Sequence, residues 1–390
     1  MVRIWMDGAF DMMHYGHVNA FRQGRSMGTY LVVGVNDDAS ITQCKGTPPV
    51  MNDAERVAMV KGCKFVDEVV PNVPYVMTDE YLQWMIKEYR IDYVVHGDDP
   101  CIVDGRDVYE SAQRLGKYRT IPRTEGVSTT EIVGRMLLLT TDHHEKQSGH
   151  MGAATDAEAN AGTDATGRKV TTSLTHNGTS AASTVTPVNQ APVGLVRESK
   201  FLTTSRMLRS FAAGCNTPPP GAKVVYVDGG WDMFHAGHVD FLRRAAQLGD
   251  FLLVGVHNDV IVNRHRGQNY PILNLNERTL SVLSCRHVGD VVIDPPWYMT
   301  RETIAALGIS VVAHGSTHDI NPNEDRDPYE VPKALGIFKE LESTVPLTVD
   351  SIVGRIQQNA SRMKAKVTKK MAAEREYYDT RYGFATEPAS

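Results

Sequence analysis

Two histidines three residues apart, His14 and His17, close a segment that reads Asp7-Gly8-Ala9-Phe10-Asp11-Met12-Met13-His14-Tyr15-Gly16-His17. It follows a short apolar run, Val2 to Met6, and precedes Val18 to Met27, a stretch with few helix breakers. The order implied is strand, glycine-bearing turn, helix, with both imidazoles near the first helical turn. Unpaired backbone N–H groups and the positive end of the helix dipole favour an anion there, and the anion expected is a phosphate. An isolated H-x-x-H more often caps or packs a helix than serves a ligand. A second copy reverses that prior. Asp228-Gly229-Gly230-Trp231-Asp232-Met233-Phe234-His235-Ala236-Gly237-His238 repeats the pattern, with His235 and His238 each 221 residues after their counterparts (235−14, 238−17).

The elements that must hold these residues follow from the hydrophobic pattern. Leu31 to Val35 is a continuous apolar run, as expected of a strand buried on both faces. Asn52-Asp53 offers a cap for a helix from Ala54 to Lys61, Val66 to Val70 reads as a strand, and Thr78 caps a helix through Tyr81, Leu82, Met85 and Ile86. Ile91 to Val95 follows as a strand ending at His96-Gly97-Asp98-Asp99. Strands alternating with helices at these spacings predict βαβ units in a parallel sheet, whose ligands sit at the carboxyl ends of the strands. Arg123-Thr124-Glu125-Gly126-Val127-Ser128-Thr129-Thr130-Glu131 opens a further helix, with Ser128 and Glu131 at capping-box spacing and an arginine before it. This is a second candidate anion site.

The second half repeats the order: Phe251 to Val256, Asn276-Glu277-Arg278, Val288 to Ile293, His314-Gly315, and Ser351 to Arg355 matching Glu131 to Arg135. We expect an α/β chain of two tandem Rossmann-like, doubly wound parallel-sheet domains at 1–140 and 222–362. A linker at 141–221 and a charged tail at 363–390 complete it. The linker is rich in Ala, Thr, Ser, Gly and Asn and too poor in large apolar groups to offset chain entropy, so it is expected to be largely disordered. A short helix is expected in Leu195 to Arg209, and His143-His144 is read as incidental rather than as a metal site.

At 390 residues each half is long enough to bury its own core. A net charge of −5 supplies no basic field for nucleic acid or an anionic membrane. The five cysteines are scattered, with no C-x-x-C pair, and read as reduced thiols. With no apolar leader and no run long enough to span a bilayer, a cytoplasmic protein is expected, at most peripheral at the endoplasmic reticulum.

The D-G-x-[FW]-D-x-x-H-x-G-H motif resembles that of the cytidylyltransferases, and two copies in one chain resemble the ethanolamine-phosphate cytidylyltransferases. The resemblance covers nearly all of both domains and none of the linker. It implies attack by the phosphate of phosphoethanolamine on the α-phosphorus of CTP, forming CDP-ethanolamine and pyrophosphate. It casts His14, His17, Lys45 and Arg123 as catalytic, with Asp7, Gly8, Ala9, Phe10, Gly16, His96, Gly97, Asp98, Ser128 and Thr129 around the nucleotide. Tyr75, Trp84 and Asp98 are candidates for the alcohol end. No carboxylate cluster has metal-ligand spacing, so Mg²⁺ would arrive on CTP, with Asp7 and Asp37 as outer ligands, and no organic cofactor is implied. In the second copy Gly230, Trp231, His235, His238, Arg266, His314, Gly315, Ser316, Thr317 and Thr348 would bind nucleotide. There Ser343 replaces Arg123, Arg266 replaces Lys45 and Asp350 enters beside the phosphates, so poor turnover is expected. Phosphocholine or another alcohol phosphate as acceptor, ATP as donor, and a nucleotide-sensing second domain are the alternatives. Homodimerisation is left open.

Overall fold

Leu31, Val32, Val33 and Val35 are 0–1% exposed, because their strand lies second from one edge of a parallel sheet covered on both faces. A computed structural model describes residues 1–98, 101–103, 105–124, 126–139, 143–144, 204–316, 326–361, 363–365, 368 and 372. Most of the expected linker and tail lie outside them, as do Asp99, Glu125 and Thr317.

The first copy runs β1 (Arg3–Gly8), α1 (Tyr15–Ser26), β2 (Tyr30–Asn36), α2 (Asp38–Lys45), α3 (Asp53–Gly62), β3 (Glu68–Val73), α4 (Asp79–Glu88) and β4 (Tyr93–Gly97). A small hairpin, β5 (Ile102–Val103) and β6 (Arg106–Asp107), precedes α5 (Glu110–Arg114), β7 (Tyr118–Ile121) and α6 (Thr129–Leu138). After α7 (Thr204–Phe211) the second copy repeats this order, and most of the stretch matching the hairpin lies outside the described residues. It comprises β8 (Val224–Gly229), α8 (Ala236–Ala246), β9 (Phe251–Val256), α9 (Asp259–Arg266), α10 (Leu275–Leu283), β10 (Asp290–Ile293), α11 (Arg301–Ala306), β11 (Ile309–Gly315), α12 (Glu330–Ala334), β12 (Phe338–Leu341) and α13 (Val349–Gln358).

The sheet orders are β3-β2-β1-β4-β7 and β10-β9-β8-β11-β12, all parallel. The strand order reverses at β1 and at β8, so each histidine motif leaves the sheet beside its topological switch point. β3 begins two residues later than the sequence suggests. Val66 is held in the preceding turn, where its carbonyl accepts Arg286 Nη2 at 2.6 Å. Pro71 is tolerated because β3 is an edge strand.

Each copy keeps a buried cluster of its own, around Trp5, Val32 and Val94 in the first and around Tyr226, Val312 and Tyr329 in the second, and a further cluster joins the two copies. The largest buried cluster contains Phe10, Met12, Met51 and Ile132 from the first copy with Met233, Ile272, Leu273 and Ile352 from the second. Around it the copies meet reciprocally. Lys64 N donates to Ser284 O and Arg286 N to Gly62 O, both at 2.8 Å, on either side of an antiparallel bridge between Cys63 and Cys285. Arg135 of α6 forks onto Glu277 of α10 (2.7 and 3.0 Å) and Ile272 O (3.1 Å). Arg355 of α13 forks in the same way onto Glu55 of α3 (2.7 and 2.8 Å) and Val50 O (3.1 Å). Breaking a buried pair of the Arg135–Glu277 kind by removing one partner costs about 3–5 kcal/mol.

Two local expectations also change. His143 and His144, read as incidental, hydrogen-bond through Nε2 to Pro271 O at 2.7 and 3.0 Å. Phe211, at the end of α7, is fully buried against Phe65.

Candidate active site

After β1 the chain turns through Phe10 and Met12 at φ of 48° and 47°, a left-handed conformation uncommon for bulky residues. Trp231 and Met233 repeat it at 53° and 47°. The turn folds the Phe10 ring back over Gly8, where an added Cβ would stand 3.1 Å from it. His14 then caps α1: its Nδ1 accepts Gly16 N at 3.1 Å, and His17 Nδ1 accepts His14 N at 3.3 Å. Capping and phosphate binding are therefore compatible. A neutral imidazole whose Nδ1 accepts carries its proton on Nε2, so the cap fixes both rings as Nε2–H donors.

A cavity of about 800 Å³ opens at the carboxyl ends of β1, β2 and β4. Of the residues singled out by sequence, Asp7, Gly8, Ala9, Phe10, His17, Lys45, His96 and Thr129 line it, as does Tyr75. His14 lies behind His17, their ring centroids 4.0 Å apart, facing a small hollow shared with Phe234 and His235. Gly16 is wedged against His14 and Val127. Gly97, Asp98, Arg123 and Ser128 are outside the lining. Asp98 accepts Arg123 N at 3.1 Å, and the Gly97 carbonyl sits 3.3 Å from His96 Nδ1. Ser128 caps α6 by accepting Glu131 N at 3.1 Å, but the capping box is only half formed. The Glu131 carboxylate turns instead to Arg135, at 2.7 Å. Trp84 is half exposed beside Tyr81 and Tyr89, and Asp37 caps α2 through Ser40 N at 2.7 Å.

At the inner end of the cavity Asp7 accepts Trp5 Nε1 at 3.0 Å and the Tyr109 hydroxyl at 3.3 Å. Burial pushes its carboxyl up, against the opposing pull of His96 and these donors. Tyr75 and Tyr109 wall this end, and burial raises both hydroxyls. Lys45 Nζ stands 4.9 Å over the Tyr75 ring. A small cation suits the carboxyl and rings of Asp7, Tyr75 and Tyr109, and phosphates suit the helix starts at His17 and Thr129.

Sequence reading missed Tyr109 and Asn36 in this lining, and gave Asp11 no role. Tyr109 had a usable signal, since Asp107-Val108-Tyr109-Glu110 recurs as Asp327-Pro328-Tyr329-Glu330. The part-buried Asp11 carboxylate accepts Val50 N (2.9 Å) and Met51 N (2.8 Å), anchoring the segment after Lys45.

The cytidylyltransferase-like family matches residues 5–135 and 226–355, once on each copy. The ethanolamine-phosphate cytidylyltransferase of Arabidopsis thaliana is 45% identical over 97% of this chain and 85% of its own length. The chain belongs to the ethanolamine-phosphate cytidylyltransferase family. Its relative from Dictyostelium discoideum is 44% identical over 96% of this chain and 95% of its own. Choline-phosphate cytidylyltransferase 2 of Arabidopsis thaliana matches at 40% over only 35% of the chain. Family membership makes the protein a nucleotidyltransferase.

The second copy keeps the histidine helix cap of the first. His235 Nδ1 accepts Gly237 N and His238 Nδ1 accepts His235 N, each at 3.2 Å. Burial takes His235 down to about 4, and His238 well below its ordinary value. Trp231 Nε1 donates to Gly255 O, the Gly230 carbonyl accepts Arg278, and Thr348 caps α13. His314 Nδ1 sits 2.9 Å from Gly315 O, and Ser316 Oγ accepts Ser343 N at 2.9 Å. The counterparts of Lys45 and Thr130, however, engage each other. Arg266 pairs with Asp350 at 3.0 Å and covers the Tyr270 ring at 4.4 Å, and the Tyr270 hydroxyl donates to Asp350 at 3.0 Å. His265 stacks on Trp297 at 3.8 Å.

Proposed function

We propose that the first copy transfers a cytidylyl group from CTP to phosphoethanolamine. A phosphomonoester oxygen attacks the α-phosphorus, the α–β bridging oxygen leaves with pyrophosphate, and CDP-ethanolamine remains. The observation that carries this reading is one cavity lined both by Asp7, Tyr75 and Tyr109 and by His17, Lys45 and Thr129. The first group suits the ammonium and the second the phosphates of the reacting pair. His17, backed by His14, donates to triphosphate oxygens from Nε2, and Lys45 spans donor and acceptor phosphates. Their contribution is alignment and charge stabilisation as the displacement proceeds.

Mg²⁺ accompanies CTP in this reading. It would be held mainly by triphosphate oxygens; of the expected outer ligands, Asp7 accepts Trp5 Nε1 and the Tyr109 hydroxyl, and Asp37 accepts Ser40 N. No described helix is long and apolar enough to cross a membrane. We place the enzyme in the cytoplasm, at most peripheral at the endoplasmic reticulum.

The second copy is read as non-catalytic, favoured by the Arg266–Asp350 pair. A coupled pyrophosphate-release assay with CTP or ATP against phosphoethanolamine, phosphocholine and glycerol 3-phosphate tests the reading. The highest kcat/KM is expected for CTP with phosphoethanolamine, and equal or reversed preference overturns it.

A further inference from the structure

We infer that Arg355, on the last helix of the second copy, is a positioning residue for the first copy's site: it holds the 45–51 segment and so places Lys45. The inference rests on the reaction proposed above. Arg355 lines the first cavity together with Gln358 at the end of α13, its C-cap Asn359, and Met363 beyond the helix. Its guanidinium bonds Val50 O at 3.1 Å and both oxygens of Glu55 at 2.7 and 2.8 Å. Glu55 also accepts Asn52 N at 2.9 Å, closing the capping box of α3. From the other side Asp11 takes Val50 N and Met51 N. Residues 50–52 are thus clamped between the first copy's histidine motif and the second copy's helix.

Between this clamp and Lys45 lie Gly46, Thr47, Pro48 and Pro49. The consecutive prolines have fixed φ and stiffen the span, so displacement at Val50 is passed toward Lys45 rather than absorbed. The rest of the interface supplies a control. Arg135 makes the mirror-image contact with Ile272 O and Glu277, but the segment it holds leads to Arg266, which is paired with Asp350. The two arginines also differ in burial. Side chains of Arg135 and Glu277 are 9% and 4% exposed, those of Arg355 and Glu55 36% and 13%. A purely structural role therefore makes Arg135 the more damaging loss, and a positioning role makes Arg355 the more damaging one for activity.

The test uses the full chain. Arg355→Ala should lower kcat/KM on the order of 10-fold to 100-fold, with kcat carrying most of the loss, as expected of a displaced reacting group. Arg135→Ala should lower the melting temperature more and keep turnover per folded molecule. In a Lys45→Ala background Arg355→Ala should cost little more, because it acts through Lys45. Arg355→Lys keeps the charge and gives up the fork, so it guards against an unfolded Ala variant, and it too should lose kcat. CTP affinity by calorimetry reads the same contrast without an acceptor: weakened by Arg355→Ala, kept by Arg135→Ala. Equal effects of the two arginines, full activity of Arg355→Lys, or losses that add in full to Lys45→Ala would overturn the inference. A wild-type chain that binds CTP but releases no pyrophosphate with any acceptor would instead overturn the proposed reaction, leaving the calorimetric contrast to decide the inference.

Discussion

Gly16→Ala sets local stability against catalytic geometry. A Cβ at Gly16 would stand 2.9 Å from Nδ1 and Cε1 of His14 and 2.9 Å from Cγ1 of Val127, whereas ordinary contact begins at 3.4 Å. The ring and the loop must together give way by about 0.5 Å in a close-packed region. Alanine within a helix is about 1 kcal/mol better than glycine. Strain on the His14 cap costs about the same. Global stability should therefore change by less than about 1 kcal/mol. Catalysis has no such offset. A misplacement of about 1 Å can cost about 10²-fold, so half of that places the loss in kcat/KM at about 10-fold or more, or roughly 1.4 kcal/mol of transition-state stabilisation. Pyrophosphate release and urea unfolding on the same preparation measure both. The matching change Gly237→Ala, where the nearest atoms are 3.0–3.2 Å away, should leave turnover intact. Wild-type kcat/KM for Gly16→Ala, or a loss accounted for by unfolding, would refute the reasoning.

Asp7→Asn keeps the shape of the inner end and removes its charge. KM for phosphoethanolamine should rise about 10-fold or more with KM for CTP little changed, and equal rises would sink the assignment of that end to the amine. Asp350→Thr with Arg266→Lys should free the second site, so that calorimetry finds two CTP equivalents per chain, and a single equivalent would argue against self-occupancy. His235 is held near 4 by burial against 6.5 when exposed, so the unfolded chain binds the extra proton between those values. Stability should therefore be fully present above pH 6.5 and fall as pH drops toward 4, by on the order of 3 kcal/mol in total. Unfolding series across that range should show a shallower slope for His235→Asn, and an unchanged slope would count against it.

What the sequence made legible was local. The histidine motif, the buried run at Leu31 to Val35 and the caps at Asn52, Thr78 and Ser128 each declare themselves within a few residues, and each is found in place. What stayed hidden depends on partners far along the chain. Asp11 recurs visibly as Asp232, but its use as an anchor for Val50 and Met51 is a contact across 39 and 40 residues. Arg355 matches Arg135 by pattern, yet nothing in the pattern says that each reaches into the other copy, or that a shared cluster joins the cores of the two copies. Glu131 has the spacing of a capping box but is drawn off by Arg135, a choice between two partners that spacing alone does not settle.

The reciprocal Arg–Glu clasps also bear on how the protein responds to dilution. Were the two copies separate chains, a site borrowing a wall from its neighbour would come apart as concentration fell, and specific activity would fall with it. Here both clasps close within one polypeptide, so the tether fixes the local concentration of the second copy at the first copy's cavity. Specific activity should therefore stay constant across dilutions, with each chain carrying its own completed site.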